Sequence, residues 1–296
     1  MSQFKGKLAV ITGGASGVGR SLAFALGDEG ARVLIADVDQ AALGATLEQL
    51  QGKGIDAHTM LCDVSKQDNL NDLAAKAFDE LGGAHFVFAN AGVAAGEAGP
   101  IWGYAENDWK WCFDVNFWGV VNSINAFMPR LIAQAEQDDE QSHMMITGSG
   151  NGAFLIYPDQ PVYSATKAAV QAVTEALYQQ MLATQSKVKI HALFPGPHIV
   201  DTGIFDSDRV RPEQFAKAHD APDSGIKTTE DLRKLMESYG AELQTTHPDE
   251  VAQTALQGVR NDQFWVMEWN QQTRDKVETR MQSILNKTNP ITATLG

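Results

Sequence analysis

The chain reads Leu8-Ala-Val-Ile-Thr-Gly-Gly-Ala-Ser-Gly-Val-Gly19 near its start, an apolar run that leads directly into a glycine-rich loop. A segment of helical length, rich in alanine and leucine, follows from Gly19 to Gly30. Glycines let such a loop turn tightly and approach a ligand closely, and the free N–H groups at a helix start attract phosphate. The stretch therefore predicts a strand, a phosphate-binding turn and a helix at the beginning of an α/β sheet.

Seven short apolar runs recur along the chain, with segments of helical length between them. The runs are four to seven residues long and cover 8–11, 33–36, 58–62, 86–89, 144–147, 188–194 and 264–267. They lack alternation with polar residues, which is typical of strands buried on both faces, and helices over 40–51 and 68–81 would connect them. We predict an α/β fold with a doubly wound, seven-stranded, mostly parallel sheet and helices on both faces, forming one domain over residues 1–296.

Three further segments depart from this alternation. Residues 203–246 contain charged helical patches but no strand-like run, which predicts a substrate-loop insertion. Residues 134–142, QAEQDDEQS, predict a polar surface loop. The polar residues 270–296 predict a C-terminal extension that is helical over 271–287 and could cap the site of a neighbouring subunit.

The composition narrows the possible partners. The net charge is −14 and no basic patch occurs, which argues against nucleic acid and an anionic membrane surface. No apolar run approaches the roughly 18 residues that a membrane span needs. The two cysteines, Cys62 and Cys112, form neither a disulfide framework nor a metal motif, so we predict no metal and a reducing, cytoplasmic location.

An acidic residue ends the second predicted strand. Asp37 lies eighteen residues after Gly19, where a carboxylate can accept hydrogen bonds from the hydroxyls of an adenosine ribose. The same carboxylate would repel a 2′-phosphate, Asp39 adds negative charge, and neither Ala15 nor Ser16 supplies a compensating cation. The pattern favours NAD over NADP as the cofactor.

A tyrosine and a lysine stand four residues apart in Tyr163-Ser-Ala-Thr-Lys167. On a helix this spacing puts both side chains on one face, with Cβ atoms about 5–6 Å apart. A cation beside a phenol favours the phenolate and lowers the tyrosine pKa from its ordinary value near 10, as a general acid/base requires. A lone pair of this kind is more often part of a helix surface, so its interpretation depends on the other motifs.

Together these motifs resemble the short-chain dehydrogenase/reductase family, most closely over residues from about 5 to about 200. The family's loop pattern TGxxxGxG is matched by Thr12, Gly13, Gly17 and Gly19. The sequence Asn90-Ala-Gly92 matches the family element after strand four, and Asp63-Val64 matches the pair that borders the adenine. The resemblance implies a Rossmann fold that binds NAD.

The resemblance also implies a catalytic tetrad, matched by Asn116, Ser149, Tyr163 and Lys167. In such a tetrad the tyrosine exchanges a proton with the substrate, the lysine lowers the tyrosine pKa and holds the nicotinamide ribose, the serine binds the substrate oxygen, and the asparagine positions a relay water. The implied cofactor-binding residues are Gly13, Ser16, Gly17, Val18, Gly19, Asp37, Asp63, Val64, Asn90, Ala91, Gly92, Tyr163, Lys167, Pro195, Gly196 and Thr202.

Two spacings depart from the family pattern. Ser149 and Tyr163 are fourteen residues apart, about one more than the family has, which a small loop within 151–161 would absorb. After Pro195-Gly196, Thr202 stands about two residues later than usual, so the backbone of residues 199–200 is an alternative contact for the nicotinamide amide. For the intervening His198 we favour a structural role over one that faces the substrate.

Substrate specificity is expected from the loops after strands four to six, namely 93–102, 150–157 and the insertion. Their aromatic residues favour an apolar or aromatic secondary alcohol, or its ketone, as the small-molecule substrate: Trp102, Phe154, Tyr157 and Phe205. Steroid, sugar alcohol and acyl thioester substrates stay open, and the insertion is similar to that of family members acting on bulky lignin-derived benzylic alcohols. Trp109, Trp111 and Trp118 are predicted to lie in the core or a subunit interface.

The resemblance further implies a homodimer or homotetramer that assembles through residues 106–128, 164–183 and 264–269. Two alternatives of other classes stay open. One is a non-catalytic dinucleotide-binding redox sensor or scaffold on the same fold, and the other is a dehydratase or epimerase. The presence of all four tetrad residues favours an oxidoreductase over the sensor, and neither the longer substrate domain nor the different acid/base groups typical of the second alternative are visible in the sequence.

Overall fold

A seven-stranded parallel sheet forms the centre of the molecule. The computed structural model of the protein describes residues 2–95, 99–217 and 224–290. Its strands are β1 Leu8–Thr12, β2 Arg32–Asp37, β3 Ala57–Leu61, β4 Phe86–Ala89, β5 Ser142–Thr147, β6 Val188–Phe194, β7 Ile199–Val200, β8 Thr245–Thr246 and β9 Trp265–Met267. The main sheet has the order β3-β2-β1-β4-β5-β6-β9, and each of its strand pairs is parallel. The predicted fold class is confirmed.

Helices cover both faces of this sheet. They are α1 Gly17–Asp28, α2 Gln40–Gly52, α3 Gln67–Ala75, α4 Glu106–Phe113, α5 Gly119–Asp138, the short turn α6 Gly150–Ala153, α7 Pro161–Ala183, α8 Thr229–Ser238, α9 Pro248–Arg260 and α10 Gln271–Asn286. Two π-helical turns, Lys76–Glu80 and Asp114–Trp118, continue α3 and join α4 to α5.

Alternating side chains of the strands enter two separate cores. Ala9 and Ile11 of β1 pack with α1, α2 and α9 on one face, whereas Leu8 and Val10 pack with α3, α5 and α7 on the other. All five residues of β1 are buried, which explains why its sequence is apolar from Leu8 to Ile11. Because parallel strands all end at the same edge, the loops that carry polar side chains converge there.

The insertion is closed at its base by a second, two-stranded sheet. Strand β7, just before the insertion, pairs in parallel with β8, at its end, and the Asp201 amide donates to the carbonyl of Thr246 at 3.0 Å. The prediction that 203–246 contains no strand is therefore wrong at its last two residues. The predicted charged helix is present as α8, and 3₁₀ turns occupy Gly203–Val210 and Glu213–Phe215.

The predicted acidic loop 134–142 is mostly helical, because α5 continues to Asp138 and β5 begins at Ser142. Ala135 is buried and the Gln134 side chain donates to the Ala84 carbonyl at 2.9 Å, so tertiary contacts extend the helix beyond what its polar composition indicates. Parts of three predicted segments lie outside the described residues: 96–98 of the loop 93–102, 218–223 of the insertion and 291–296 of the C-terminal extension. Within the described part of the chain, none of the helices has the length and apolar character that crossing a bilayer demands.

Candidate active site

A cavity of about 910 Å³ opens along the carboxyl edge of the sheet. The residues that follow β1, β2, β4, β5 and β6 all reach it, as expected for a doubly wound sheet. Most of the predicted site residues line it: Gly13, Ser16, Gly17, Val18, Asp37, Asp63, Val64, Asn90, Ala91, Gly92, Ser149, Tyr163, Lys167, Pro195, Gly196 and Thr202. Gly19 and Asn116, by contrast, are absent from its wall.

The glycine-rich loop is packed too tightly for side chains. Gly13 has φ +63°, and a Cβ on it would lie 2.8 Å from the Cα of Ala91. A Cβ on Gly19 would lie 2.0 Å from the Gly13 carbonyl oxygen and 2.7 Å from the Asn90 side-chain nitrogen. Gly19 is therefore a packing contact beneath the loop, and the cavity wall is made by the residues before it.

Thr12 and Asn90 bind the loop to the central strands. The Thr12 hydroxyl donates to the Phe88 carbonyl and accepts from the amides of Asn90 and Ala91. The Asn90 side chain donates to the Thr12 carbonyl at 3.1 Å and accepts from the Thr147 hydroxyl at 3.1 Å. This network joins β1, β4 and β5 where the cavity begins. The sequence motif pointed to Asn90, but nothing in it signalled Thr147.

Carboxylates gather at the end of the cavity next to β2 and β3. Asp37 accepts hydrogen bonds from the amides of Ala15 and Asp39, both at 3.1 Å, which holds its carboxylate beside the glycine loop. Asp63 accepts from the Ser65 amide at 2.9 Å. Asp114 also lines this region, and burial raises its pKa. This end of the cavity is negatively charged and offers acceptors to hydroxyl groups.

Ser149, Tyr163 and Lys167 converge at the other end. Ser149 follows β5 and caps the turn α6, where its hydroxyl accepts from the Asn151 amide at 3.2 Å. Tyr163 and Lys167 lie on the first turns of α7, and the Lys167 ammonium is 5.8 Å from the centroid of the tyrosine ring. The loop after Ser149 packs directly against α7 at Gly152, which has φ +100°. A Cβ added to Gly152 would lie only 2.5 Å from the Ser164 carbonyl oxygen.

The Lys167 ammonium is buried and bonded to the main chain. It donates to the Thr147 carbonyl at 2.9 Å, and 3% of the residue is exposed. Desolvation by burial lowers its pKa to about 8. Burial raises the pKa of the neighbouring Cys112 thiol to about 12, so Cys112 is a neutral packing residue rather than a nucleophile.

Asn116 lies in the π-helical turn between α4 and α5 and is completely buried. Its side-chain oxygen accepts from the Val93 amide at 2.8 Å. Its nitrogen donates to the Val93 carbonyl at 2.9 Å and to the Thr166 hydroxyl at 3.0 Å. The side chain is thus occupied in fixing the loop after β4 against α7, and any contact with a relay water would have to come from its backbone. The sequence did not point to Thr166, which shares this network.

The loop after β6 returns to the glycine loop. The Thr202 methyl group lies 3.1 Å from the position of a Cβ on Gly17, so this segment covers the start of α1. The Thr202 hydroxyl accepts from the Ile204 amide at 3.4 Å and begins the 3₁₀ turn of the insertion. His198 lines the cavity, and its backbone amide donates to the Thr246 hydroxyl at 3.1 Å.

The remaining walls of the cavity are mostly apolar. Phe154 packs against Phe194 and Trp269 with ring centroids 4.6 and 5.5 Å apart, and the three rings form one side. Further lining residues include Tyr157, Ile204, Phe205, Phe215, Leu232, Met236 and Leu243. Trp102, which the sequence suggested for this wall, is 86% exposed and lies outside it, whereas the buried Trp111 lines it.

A buried ion pair attaches the insertion to α4. Arg211 and Asp108 approach to 2.5 Å with 4% of each side chain exposed, and the guanidinium lies 4.7 Å from the centroid of the Trp111 ring. Asp108 also accepts from the Ala105 amide at the start of α4, and Asp208 adds a second carboxylate 3.3 Å from Arg211. The pair holds the cavity-lining residues on either side of it, such as Val210 and Pro212, in place.

Helix α10 lies beside the site of its own chain. Arg280 donates to the carbonyls of Ala153 and Phe154 at 3.3 and 2.7 Å, and Gln272, Thr273 and Lys276 line the cavity. These contacts place the helix of the C-terminal extension beside the loop that follows Ser149, and its capping of a neighbouring subunit's site stays a prediction.

Comparison with known proteins agrees with this geometry. The model of the short chain dehydrogenase family matches residues 7–211. SadH of Mycobacterium tuberculosis, whose name assigns it provisionally to the oxidoreductases, is 32% identical over 267 residues, which cover 90% of this chain and 87% of SadH. A C alpha-dehydrogenase of Sphingobium sp. is 28% identical over 292 residues, covering 98% of this chain and 89% of its own.

A solved structure shares the whole architecture. The short chain dehydrogenase/reductase of Burkholderia phymatum, crystallised in complex with NAD, superimposes with a TM-score of 0.86 at 31% identity and covers 99% of each chain. The sheet order, the glycine loop and the convergence of Ser149, Tyr163 and Lys167 agree with this likeness. The chain belongs to the short chain dehydrogenase family of oxidoreductases.

Proposed function

We propose that the protein is an NAD-dependent dehydrogenase that interconverts a secondary alcohol and its ketone. The observation that carries the proposal is that Ser149, Tyr163 and Lys167 share one cavity with the glycine loop and Asp37. A proton-transfer group and a phosphate-binding glycine loop in a single cavity are what hydride transfer to a dinucleotide requires.

The residues present fit a dinucleotide. Side chains are excluded at Gly13, and the amide-rich loop stands at the N-terminus of α1, where phosphate groups bind favourably. Asp37 and Asp63 line the same cavity as Lys167, and in this proposal Asp37 accepts hydrogen bonds from the ribose hydroxyls while Asp63 borders the adenine. The NAD complex of the Burkholderia phymatum relative supports the same cofactor class.

NAD is proposed over NADP because of the charge around Asp37. Its carboxylate is held by two backbone amides, so it cannot easily turn away from a 2′-phosphate, and Asp39 lies two residues further on. Among the described residues, the lysines and arginines that line the cavity are carried by α7, the insertion and α10, and none belongs to the segments that carry Asp37 and Asp63: Lys167, Arg209 and Lys276.

The bound cofactor would accept a hydride from the carbinol carbon, and the protein residues handle the proton. Tyr163, as the phenolate, takes the proton from the substrate hydroxyl while the C–H bond breaks, and in the reverse direction it returns that proton to the ketone oxygen. Ser149 donates a hydrogen bond to the same oxygen. Lys167, fixed by the Thr147 carbonyl, supplies the positive charge that favours the phenolate.

For the substrate we propose an apolar or aromatic secondary alcohol. Support comes from the aromatic wall of Phe154, Phe194 and Trp269 and from the aliphatic side chains that the insertion adds. Asn116 acts as a positioning residue in this scheme, because its side chain fixes the loop after β4, and a relay water held near it stays a prediction.

We also propose that the protein forms a homodimer or homotetramer in the cytoplasm. Two exposed tryptophans support contacts between subunits: Trp118, 49% exposed between α4 and α5, and Trp265, 45% exposed on the edge strand β9. Cys62 and Cys112 are both free thiols, which suits a reducing compartment. Light scattering coupled to gel filtration measures the subunit number, and a monomer would contradict the assembly.

The test is cofactor binding followed by turnover. NADH and NADPH are titrated by fluorescence, and secondary alcohols are then screened with the preferred cofactor at 340 nm. Tyr163→Phe should lower kcat by at least about 100-fold, because it removes the proton acceptor, while the NADH Kd stays nearly unchanged. Binding without turnover of any alcohol or ketone would favour a redox sensor, and retained activity in Tyr163→Phe would refute the mechanism.

A further inference from the structure

One cation on the cavity wall has no role in the chemistry described so far. Arg209 lies in the 3₁₀ turn Gly203–Val210, lines the cavity and is exposed. Its Nη1 donates to the carbonyls of Gly203 at 3.0 Å and Asp206 at 2.9 Å, so the side chain folds back over the start of the insertion.

This guanidinium has no carboxylate partner among residues 2–95, 99–217 and 224–290. No carboxylate oxygen of those residues lies within 4.0 Å of its nitrogens. Its neighbour Arg211 shows the contrast, because Asp108 and Asp208 both neutralise it. In a chain of net charge −14, a positive group held by two main-chain carbonyls and facing a cavity is suited to a negative ligand.

The fold places this cation beside the phosphate loop. A Cβ added to Gly17 would lie 3.1 Å from the Thr202 methyl group. Gly203 follows Thr202 in the chain, and a Cβ added to it would lie 3.5 Å from the Arg209 Nη1. Gly17 is the first residue of α1, the end of a twelve-residue helix at which phosphate binds favourably. The Arg209 guanidinium therefore lies beside Gly203, the neighbour of the residue that covers the start of α1.

We propose that Arg209 binds the pyrophosphate of the dinucleotide, so that the substrate-loop insertion supplies the charged outer wall of the cofactor site. This inference rests on the proposed dinucleotide-binding function. The glycine loop, at the carboxyl edge of the sheet, offers backbone amides to one side of the phosphates. The Arg209 guanidinium offers a full positive charge from the insertion on the other side. The Asp108–Arg211 pair, two residues further on, fixes the turn that carries Arg209.

The same contact would couple the position of the insertion to cofactor binding. A hydrogen bond between Arg209 and the phosphates would attach the turn Gly203–Val210 to the bound dinucleotide. That turn contributes Ile204 and Phe205 to the substrate wall. Cofactor binding would then complete the pocket before the alcohol enters, which is an ordered binding sequence.

The experiment compares Arg209→Gln with wild type in titrations with NADH, ADP and adenosine at several salt concentrations. We expect the Kd values for NADH and ADP to rise about tenfold, because a charge-assisted hydrogen bond to phosphate is lost. The Kd for adenosine, which carries no phosphate, should stay within about twofold. The dependence of the NADH Kd on salt should also weaken, since one cation fewer meets the phosphates.

Two further variants separate charge from structure. Arg233→Gln removes the same charge from α8, where the side chain is exposed and paired with Glu230, and it should leave all three Kd values unchanged. Arg209→Lys should recover part of the NADH affinity, because a lysine still binds phosphate as a point charge.

The outcomes distinguish the inference from the function on which it rests. Wild type that binds neither NADH nor NADPH would refute the proposed function and this inference with it. If wild type binds NADH, and Arg209→Gln binds NADH and ADP as tightly as wild type does, only the role of Arg209 is refuted. Equal losses for adenosine and ADP would also overturn it, because the effect would then come from a displaced loop rather than from the phosphates.

Discussion

Breaking the buried ion pair between α4 and the insertion should destabilise the protein far more than breaking an exposed one. Asp108→Asn removes the negative charge 2.5 Å from Arg211, whose side chain is 4% exposed. Loss of one partner of a buried pair typically costs about 3–5 kcal/mol, because the other charge is left in a poorly solvated place. Here Asp208 remains 3.3 Å away and the asparagine can still accept from the Ala105 amide, so we expect about 2–3 kcal/mol.

The assay is urea unfolding followed by tryptophan fluorescence, with the free energy of unfolding extrapolated to zero urea. Glu230→Gln is the matched control, since it breaks the exposed pair with Arg233 in the same insertion and should cost less than about 0.5 kcal/mol. The double replacement Asp108→Leu with Arg211→Met should recover most of the loss, because an apolar pair leaves no buried charge. Equal costs for Asp108→Asn and Glu230→Gln would refute the reasoning.

Three other variants test separate parts of the site and the core. Asp37→Asn should reduce the preference for NADH over NADPH by about tenfold in fluorescence titrations, because a like charge facing the 2′-phosphate is removed; an unchanged ratio would contradict the argument. Burial lowers the pKa values of His143 and His191, that of His143 to about 3, so His143 stays neutral in the fold above that pH. The unfolded chain gains the His143 proton as pH falls below about 6.5, which costs about 1.4 kcal/mol of stability per pH unit down to about pH 3. His143→Gln should remove that slope between pH 7 and pH 5 in urea titrations, and an unaltered slope would exclude this histidine as its source. Arg280→Gln should raise the KM for the alcohol several-fold at an unchanged NADH Kd, because α10 loses its bonds to the loop carbonyls, whereas Arg274→Gln in the same helix should behave as wild type.

The alternation of mostly apolar runs with helical segments predicted the sheet, and the glycine pattern after the first run predicted its cofactor loop. Asp37 and Asn90 could be found from their positions after strands, where the fold itself directs them to one edge. Gly19 shows the limit of such motifs. It matches the family pattern, yet its reason for being glycine is contact with the Gly13 carbonyl and Asn90 rather than with a ligand.

Features that depend on distant partners could not be predicted. The side chain of Asn116 is held by Val93 and Thr166, which are 23 and 50 residues away. The Asp108–Arg211 contact joins residues 103 positions apart. Strands β7 and β8 have two residues each, too few for a hydrophobic pattern, and the polar end of α5 is helical only because the Gln134 side chain and its neighbours find partners in the fold.

The pairing of β7 with β8 fixes the distance between the two ends of the insertion. The insertion begins shortly after β7 and ends with β8, so the distance that a replacement must span is set by the pairs Ile199–Thr245 and Val200–Thr246. Lengthening a flexible loop with fixed ends adds only about 0.6 kcal/mol for each doubling of its length. A replacement of the insertion can therefore differ in length while the sheet and its glycine loop keep their own packing, provided that it again supplies a cation to pair with the buried Asp108 of α4.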